Sequence, residues 1–236
     1  HYEILRILFP AVCPAALLRI IKALIARVME NIYHRAQLLG QHARRIVNGQ
    51  IVPDRYIGLR ARFKHLRKAR KQALKAGIDI LWLGARTTAS PFAMQEIANS
   101  LKGTDIPIFV KNPINPDIEL WIGALERLAH AGVNRLAAIH RGFSTYGDTT
   151  YRNTPIWEIA AELRSRIPQL PILCDPSHIG GKSELVKPLA EKALCLNYNG
   201  FFIETHINPS KALSDSRQQI TPEALHQLLT ELNIKL

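Results

Sequence analysis

Leu173-Cys-Asp-Pro-Ser-His-Ile-Gly-Gly181 starts as an apolar run and turns abruptly into an acid, a proline, a histidine and two glycines. A buried strand reads this way when its end presents polar side chains to a pocket. His178 is a candidate ligand for a divalent metal ion. Two acids downstream, Glu204 and Asp215, complete a set of one nitrogen and two oxygens, which suits Mn, Fe, Co or Zn acting as a Lewis acid.

The same design repeats on both sides of this stretch. Apolar runs at Ile78–Leu83, Pro107–Val110, Leu136–Ile139 and Gly200–Ile203 each give way to a polar tip and then to a helical pattern. Arg86, Lys111, Arg141, Asp175 and Glu204 follow one another at intervals of 25, 30, 34 and 29 residues. Non-alternating strands alternating with helices predict a parallel sheet. Polar residues at every strand end point to a (β/α)₈ TIM-type barrel, whose sites form on that face, rather than to a doubly wound sheet with a single switch point. Helix starts are expected at Asn115-Pro116, Thr154-Pro155 and Thr221-Pro222, with Gly103 and Gly132 closing two of the helices.

Residues 1–76 read differently. They carry 16 Lys and Arg against Glu3, Glu30 and Asp54, a balance of +13, whereas the remainder of the chain is close to neutral within a total of +12. The expected division is therefore an atypical basic segment at 1–76, in place of three βα units, and five βα units at 77–236. Leu17–Met29 and Arg60–Lys75 have helical spacing. Arg60–Lys71 reads as a solvated basic face, and its few aromatics, Tyr56 and Phe63, argue against base stacking. A nucleic-acid partner is not expected.

No apolar run approaches the roughly 18 residues of a membrane span. Ile7–Leu18 lacks a small-residue cleavage site, so export is not expected. Three irregularly spaced cysteines argue against a disulfide framework or a structural zinc cluster and point to a reducing cytoplasm. Cys174 and Cys195 read as buried packing, with Cys174 facing away from Asp175. Ser177 has no Gly-x-Ser-x-Gly elbow around it, which excludes that class of hydrolase. Gly180-Gly181 is a weak phosphate-loop signal, and His206 reads as structural.

Arg86, Lys111 and Arg141 would meet at the mouth of such a barrel. Three cations together favour a small, multiply anionic substrate such as a phosphorylated carboxylic acid.

Six motifs, in order, resemble the metal-dependent 3-deoxy-7-phosphoheptulonate (DAHP) synthases. They are Gly84-Ala-Arg-Thr-Thr88, Val110-Lys-Asn-Pro113, Ala138-Ile-His-Arg-Gly142, Cys174–Gly181, Ile203-Glu-Thr-His206 and Ala212-Leu-Ser-Asp215. The likeness covers about residues 77–225. It is strongest to the bacterial branch sometimes fused to a chorismate mutase, a domain not expected within this chain.

The resemblance implies a shikimate-pathway transferase that joins C3 of phosphoenolpyruvate to the aldehyde of erythrose 4-phosphate. Water adds at C2 and phosphate leaves. It also implies that Arg86, Lys111 and Arg141 bind phosphoenolpyruvate, that His178, Glu204 and Asp215 bind the metal, that Lys111 and His178 are catalytic, and that the protein is a homo-oligomer.

The related 3-deoxy-octulosonate 8-phosphate synthases are the runner-up, and a non-catalytic polyanion binder is the other alternative. The family's Gly-Pro-Cys-Ser strand end, which carries a metal-ligand Cys, and its Lys-Pro-Arg-Thr loop are both absent from residues 1–76. Cys13 lies near the first of these but in another context. A frame-shifted reading of residues 1 to about 70 would produce such a loss of motifs. With five units the barrel is incomplete, so low stability and impaired activity are expected.

Overall fold

The computed structural model describes residues 80–147 and 150–234 with their side chains and, before residue 80, the backbone of four strands. The strands are β1 (Ile4–Leu8), β2 (Ile46–Val47), β3 (Gln50–Ile51), β4 (Tyr56–Leu59), β5 (Ile80–Leu83), β6 (Ile108–Lys111), β7 (Leu136–His140), β8 (Ile172–Cys174) and β9 (Gly200–Thr205). The helices are α1 (Ala85–Thr88), α2 (Pro91–Leu101), α3 (Ile118–His130), α4 (Trp157–Arg166), α5 (Pro176–Gly180), α6 (Val186–Cys195) and α7 (Pro222–Glu231). The helices expected at 17–29 and 60–75, Cys13 and the frame-shift question lie outside the described residues.

Strands β4 to β9 are parallel neighbours in chain order. The order never reverses, so there is no switch point of the doubly wound kind, and each helical crossover leads to the adjacent strand as in a TIM-type barrel. Native strand twist curls these strands into a half-barrel. On the far edge β1 pairs antiparallel with β9, Ile4 opposite Thr205 and Leu8 opposite Phe201. A closed barrel would have a parallel first strand there. Among the described residues, the barrel pattern therefore holds for the last five βα units and changes before them. Ile4–Leu8 and Tyr56–Leu59 were not anticipated as strands. Residues 51–56 read in the sequence only as a short turn or strand, and the partners of β4 lie further along the chain, Tyr56 pairing with Ile80.

Side-chain alternation divides the sheet. Leu81, Leu83, Ile108, Val110, Ala138, Ile172, Cys174, Phe201 and Ile203 join Met94, Ile97, Trp121, Leu125, Leu163, Leu189 and Leu228 of the helices in one large core. Ile80, Phe109, Ala137, Ile139, Leu173 and Phe202, with Trp82 against them, form a small cluster on the concave face. Cys174 is fully buried in the outer layer, away from Asp175, as expected. Cys195, expected to be buried, is exposed at the last position of α6, on the side of that helix away from Leu189 and Ala193.

Two helix starts also differ from expectation. Asp117, not Asn115, caps α3, its carboxylate accepting from Leu120 N at 3.0 Å. Helix α4 begins at Trp157 after Ile156 in a left-handed conformation with no side-chain cap, two residues beyond the Thr154 whose backbone pairs with Phe143. Thr221 caps α7 as expected.

Candidate active site and metal centre

The concave face supplies the site. Alternation along β6 turns Lys111 inward after Phe109, and along β8 and β9 it does the same for Asp175 after Leu173 and for Glu204 after Phe202. Lys111 is 3% exposed, and its Nζ lies 2.8 Å from Asp175 Oδ2. The ammonium also sits over the Trp82 and Phe202 rings, 4.8 and 4.6 Å from their centroids, a cage suited to a buried cation.

Asp175 ends the strand and caps α5, accepting from His178 N at 2.9 Å. Its Oδ2 also lies 2.9 Å from His178 Nδ1. Burial alone would raise this carboxyl. His178 and Lys111 together outweigh that effect and hold it well below the usual carboxylate range. With Nδ1 engaged, Nε2 of His178 is the nitrogen left for a ligand role, and it faces Glu204 Oε1 at 3.6 Å. Burial raises the Glu204 carboxyl from its ordinary value.

Asp215 arrives from a separate segment. Residues 215–220 dock along β9 through His206 N to Ile220 O and Ile220 N to Glu204 O, at 3.0 and 3.2 Å. One ligand atom from each of His178, Glu204 and Asp215 falls within 4.8 Å of the others. The donor set, one imidazole and two carboxylates with an acid behind the histidine, fits a divalent transition metal. The three residues expected to bind metal are thus brought together.

The expected cations are arranged less evenly. Arg141, just past β7, has its backbone N held by Asn112 Oδ1 at 2.7 Å, and its guanidinium donates to Asn153 Oδ1 at 2.5 Å. Burial lowers it to about 10, so it stays cationic at neutral pH. It feels the charges of Arg86 and Arg152 nearby. Arg86 is exposed on α1, and Lys111 is committed to Asp175. Asn112 is fully buried and also donates to Gly142 O at 2.8 Å, fixing the turn that carries Arg141. An added Cβ at Gly142, φ +75°, would fall 2.4 Å from the Asn153 carbonyl oxygen, which requires glycine there.

Sequence reading missed the roles of Asn112, Arg152, Asn153, Asp175 and Gln218 in holding these groups. Only Asp175 carried a signal, an acid directly before a proline at a strand end. His206 is buried and accepts from Asn208 N at 2.9 Å, outside the three-residue cluster. Gly181 is the left-handed cap of α5, packed against Arg152.

Against known proteins, a family model described as the DAHP synthetase I family matches residues 55–235. The phospho-2-dehydro-3-deoxyheptonate aldolase of Thermotoga maritima is 34% identical over 154 residues, 65% of this chain and 44% of that protein. This chain therefore spans less than half of that relative's length. A 2-dehydro-3-deoxyphosphooctonate aldolase of Wolinella succinogenes is 47% identical over 53 residues, 22% of this chain and 20% of the relative. Among solved structures, a truncated form of 3-deoxy-D-arabino-heptulosonate 7-phosphate synthase from Thermotoga maritima superposes with a TM-score of 0.59 at 26% identity. It covers 76% of this chain and 74% of that one.

Proposed function

This chain belongs to the DAHP synthetase I family, and on that premise we propose that it condenses phosphoenolpyruvate with erythrose 4-phosphate to give 3-deoxy-7-phosphoheptulonate and phosphate. The observation that carries the reading is the meeting of His178, Glu204 and Asp215 beside Lys111 and Arg141 on one face of the half-barrel.

Arg141, held by Asn112 and Asn153, presents its guanidinium at a fixed angle to an anionic substrate. Arg86, exposed on α1, adds a second positive charge to the same rim. Lys111 supplies an ammonium in a desolvated setting, where its charge acts strongly on a phosphate or carboxylate. Its bond to Asp175 keeps it in place before substrate arrives. Carbon–carbon bond formation at C3 of phosphoenolpyruvate leaves C2 electron-poor, and the cations flanking it stabilise the phosphate that departs after water adds. His178, Glu204 and Asp215 would hold a Mn, Fe, Co or Zn ion, which when bound supplies Lewis-acid polarisation of a carbonyl oxygen. The setting proposed is a cytoplasmic homo-oligomer. Among the described residues, no helix is long and apolar enough to cross a membrane.

The stretch shared with the octonate aldolase favours a second reading, the same condensation with a five-carbon aldose phosphate. One assay addresses both. Phosphate release from phosphoenolpyruvate is followed with either sugar phosphate, first with Mn²⁺ and then with excess chelator. Chelator-sensitive turnover with erythrose 4-phosphate, abolished by His178→Ala and Arg86→Ala, is the expected outcome. Turnover confined to the five-carbon sugar would favour the second reading. No turnover with folded protein would leave a binding protein.

A further inference from the structure

Arg152 lies in the loop between β7 and α4, remote in sequence from the candidate metal ligands. One of its guanidinium nitrogens donates to Asp215 Oδ1 at 2.5 Å and to Gln218 Oε1 at 2.6 Å. Gln218 is 1% exposed, and its own Nε2 donates to Glu204 Oε2 at 2.7 Å. Both ends of that amide are therefore committed. Glu204 turns its other oxygen, Oε1, towards His178 Nε2 at 3.6 Å.

We propose that Arg152 and Gln218 are positioning residues that set the two carboxylates of the metal centre, an inference that rests on the metal-site reading above. Asp215 stands at φ 54°, in the left-handed region that aspartate enters more readily than most residues, at the start of a short 3₁₀ turn, and Arg152 ties its carboxylate to Gln218 of the same turn. Arg152 is itself seated by packing. A Cβ at Gly181, where φ is +69°, would lie 2.5 Å from Arg152 Cβ and 3.0 Å from its Cδ, so the glycine makes room for the arginine stem. The next residue, Asn153, is tied by its side chain to His178 O at 2.7 Å, so one short segment touches the supports of all three candidate ligands.

The same numbers separate positioning from stability. Arg152 and Asp215 side chains are 48% and 19% exposed. A pair that open to solvent contributes little to folding. Charge alone makes the opposite prediction from positioning, because removing a cation beside a metal site tightens cation binding. Hydrogen-bonded groups behind metal ligands characteristically change affinity by about 10–100-fold when lost.

The test titrates the full chain with Mn²⁺ alone, counting free Mn²⁺ by electron paramagnetic resonance, alongside thermal unfolding. Arg152→Met and the charge-neutral Gln218→Leu are each expected to weaken Mn²⁺ binding by about 10–100-fold. Gly181→Ala should act in the same direction, and Arg152→Lys should retain part of the affinity. Wild-type binding with unchanged or tighter binding in Arg152→Met overturns the positioning role and leaves the metal site standing. A wild-type chain that binds no Mn²⁺ removes the metal-site reading and this inference with it. If Arg152→Met does not fold, Arg152→Lys and Gln218→Leu decide by the same criterion.

Discussion

The two faces of the sheet are built from the same strands but have different tasks. The outer face buries large apolar side chains against the helices, with Trp121 fully enclosed and its indole N–H satisfied by Val110 O at 3.2 Å. Among the described residues, the concave face has six buried apolar side chains, and above them alternation turns Lys111, Asp175 and Glu204 inward. Outside, stability comes from apolar area and falls with whatever area and volume are removed. Inside, it depends on charges that balance one another, so the same groups can serve chemistry. A buried ion pair is a poor device for stability. The Lys111–Asp175 pair at the ends of β6 and β8 is better accounted for by the chemistry proposed for this face than by stability.

Removing one charge breaks the inner face most severely. Asp175→Ala strands the Lys111 ammonium and uncaps α5, and a loss of about 3–5 kcal/mol is expected by chemical denaturation. Combining Lys111→Met with Asp175→Asn removes both charges and should recover most of that loss while abolishing turnover. Trp121→Ala on the outer face is expected to lose a similar amount, about 3–5 kcal/mol, with no single partner change restoring it. If the double exchange were as destabilising as the single, the contrast between charge-balanced and area-driven faces would be wrong.

His140 sharpens the comparison, because β7 turns it into the outer layer. There its Nε2 bonds Pro155 O at 2.5 Å and Tyr198 OH reaches Nδ1 at 2.7 Å, with the Trp157 ring edge-on. Burial lowers it from 6.5 to about 4. Between those values the unfolded chain takes up a proton that the native state refuses, so stability falls as pH falls through the window and is unaffected above it. The shift corresponds to about 3 kcal/mol lost by pH 4. Urea denaturation at pH 7 and pH 4.5 should show the slope in the wild type and lose much of it in His140→Gln. The smallest effect belongs to exposed Cys195. Cys195→Ser should leave stability within about 0.5 kcal/mol, whereas Cys174→Ser, buried in the outer core, should not.

The βα rhythm was legible because each strand and cap is a local pattern, and five units with polar tips suffice to distinguish a barrel from a doubly wound sheet. Boundaries moved where a nearby group competed, as when Asp117 took the cap expected of Asn115. Strands β1 and β4 were illegible because their pairing energy lies in remote partners, Thr205 and Ile80 among them. In the site, the order of Arg86, Lys111, Arg141, His178, Glu204 and Asp215 could be read directly. That Lys111 is tied to Asp175, and that Arg141 leans on Asn153, could not.

By itself the sequence determined which residue types stand at the strand ends and in what order, since strand, turn and cap preferences act over a few neighbours. Tertiary structure alone decided which of them share a hydrogen bond. Lys111 and Asp175 are 64 residues apart, Arg152 and Asp215 63, and Arg152 and Gln218 66. Bonds across such separations form only once the curled sheet has brought successive strand ends to one rim, and no local preference encodes which donor then meets which acceptor.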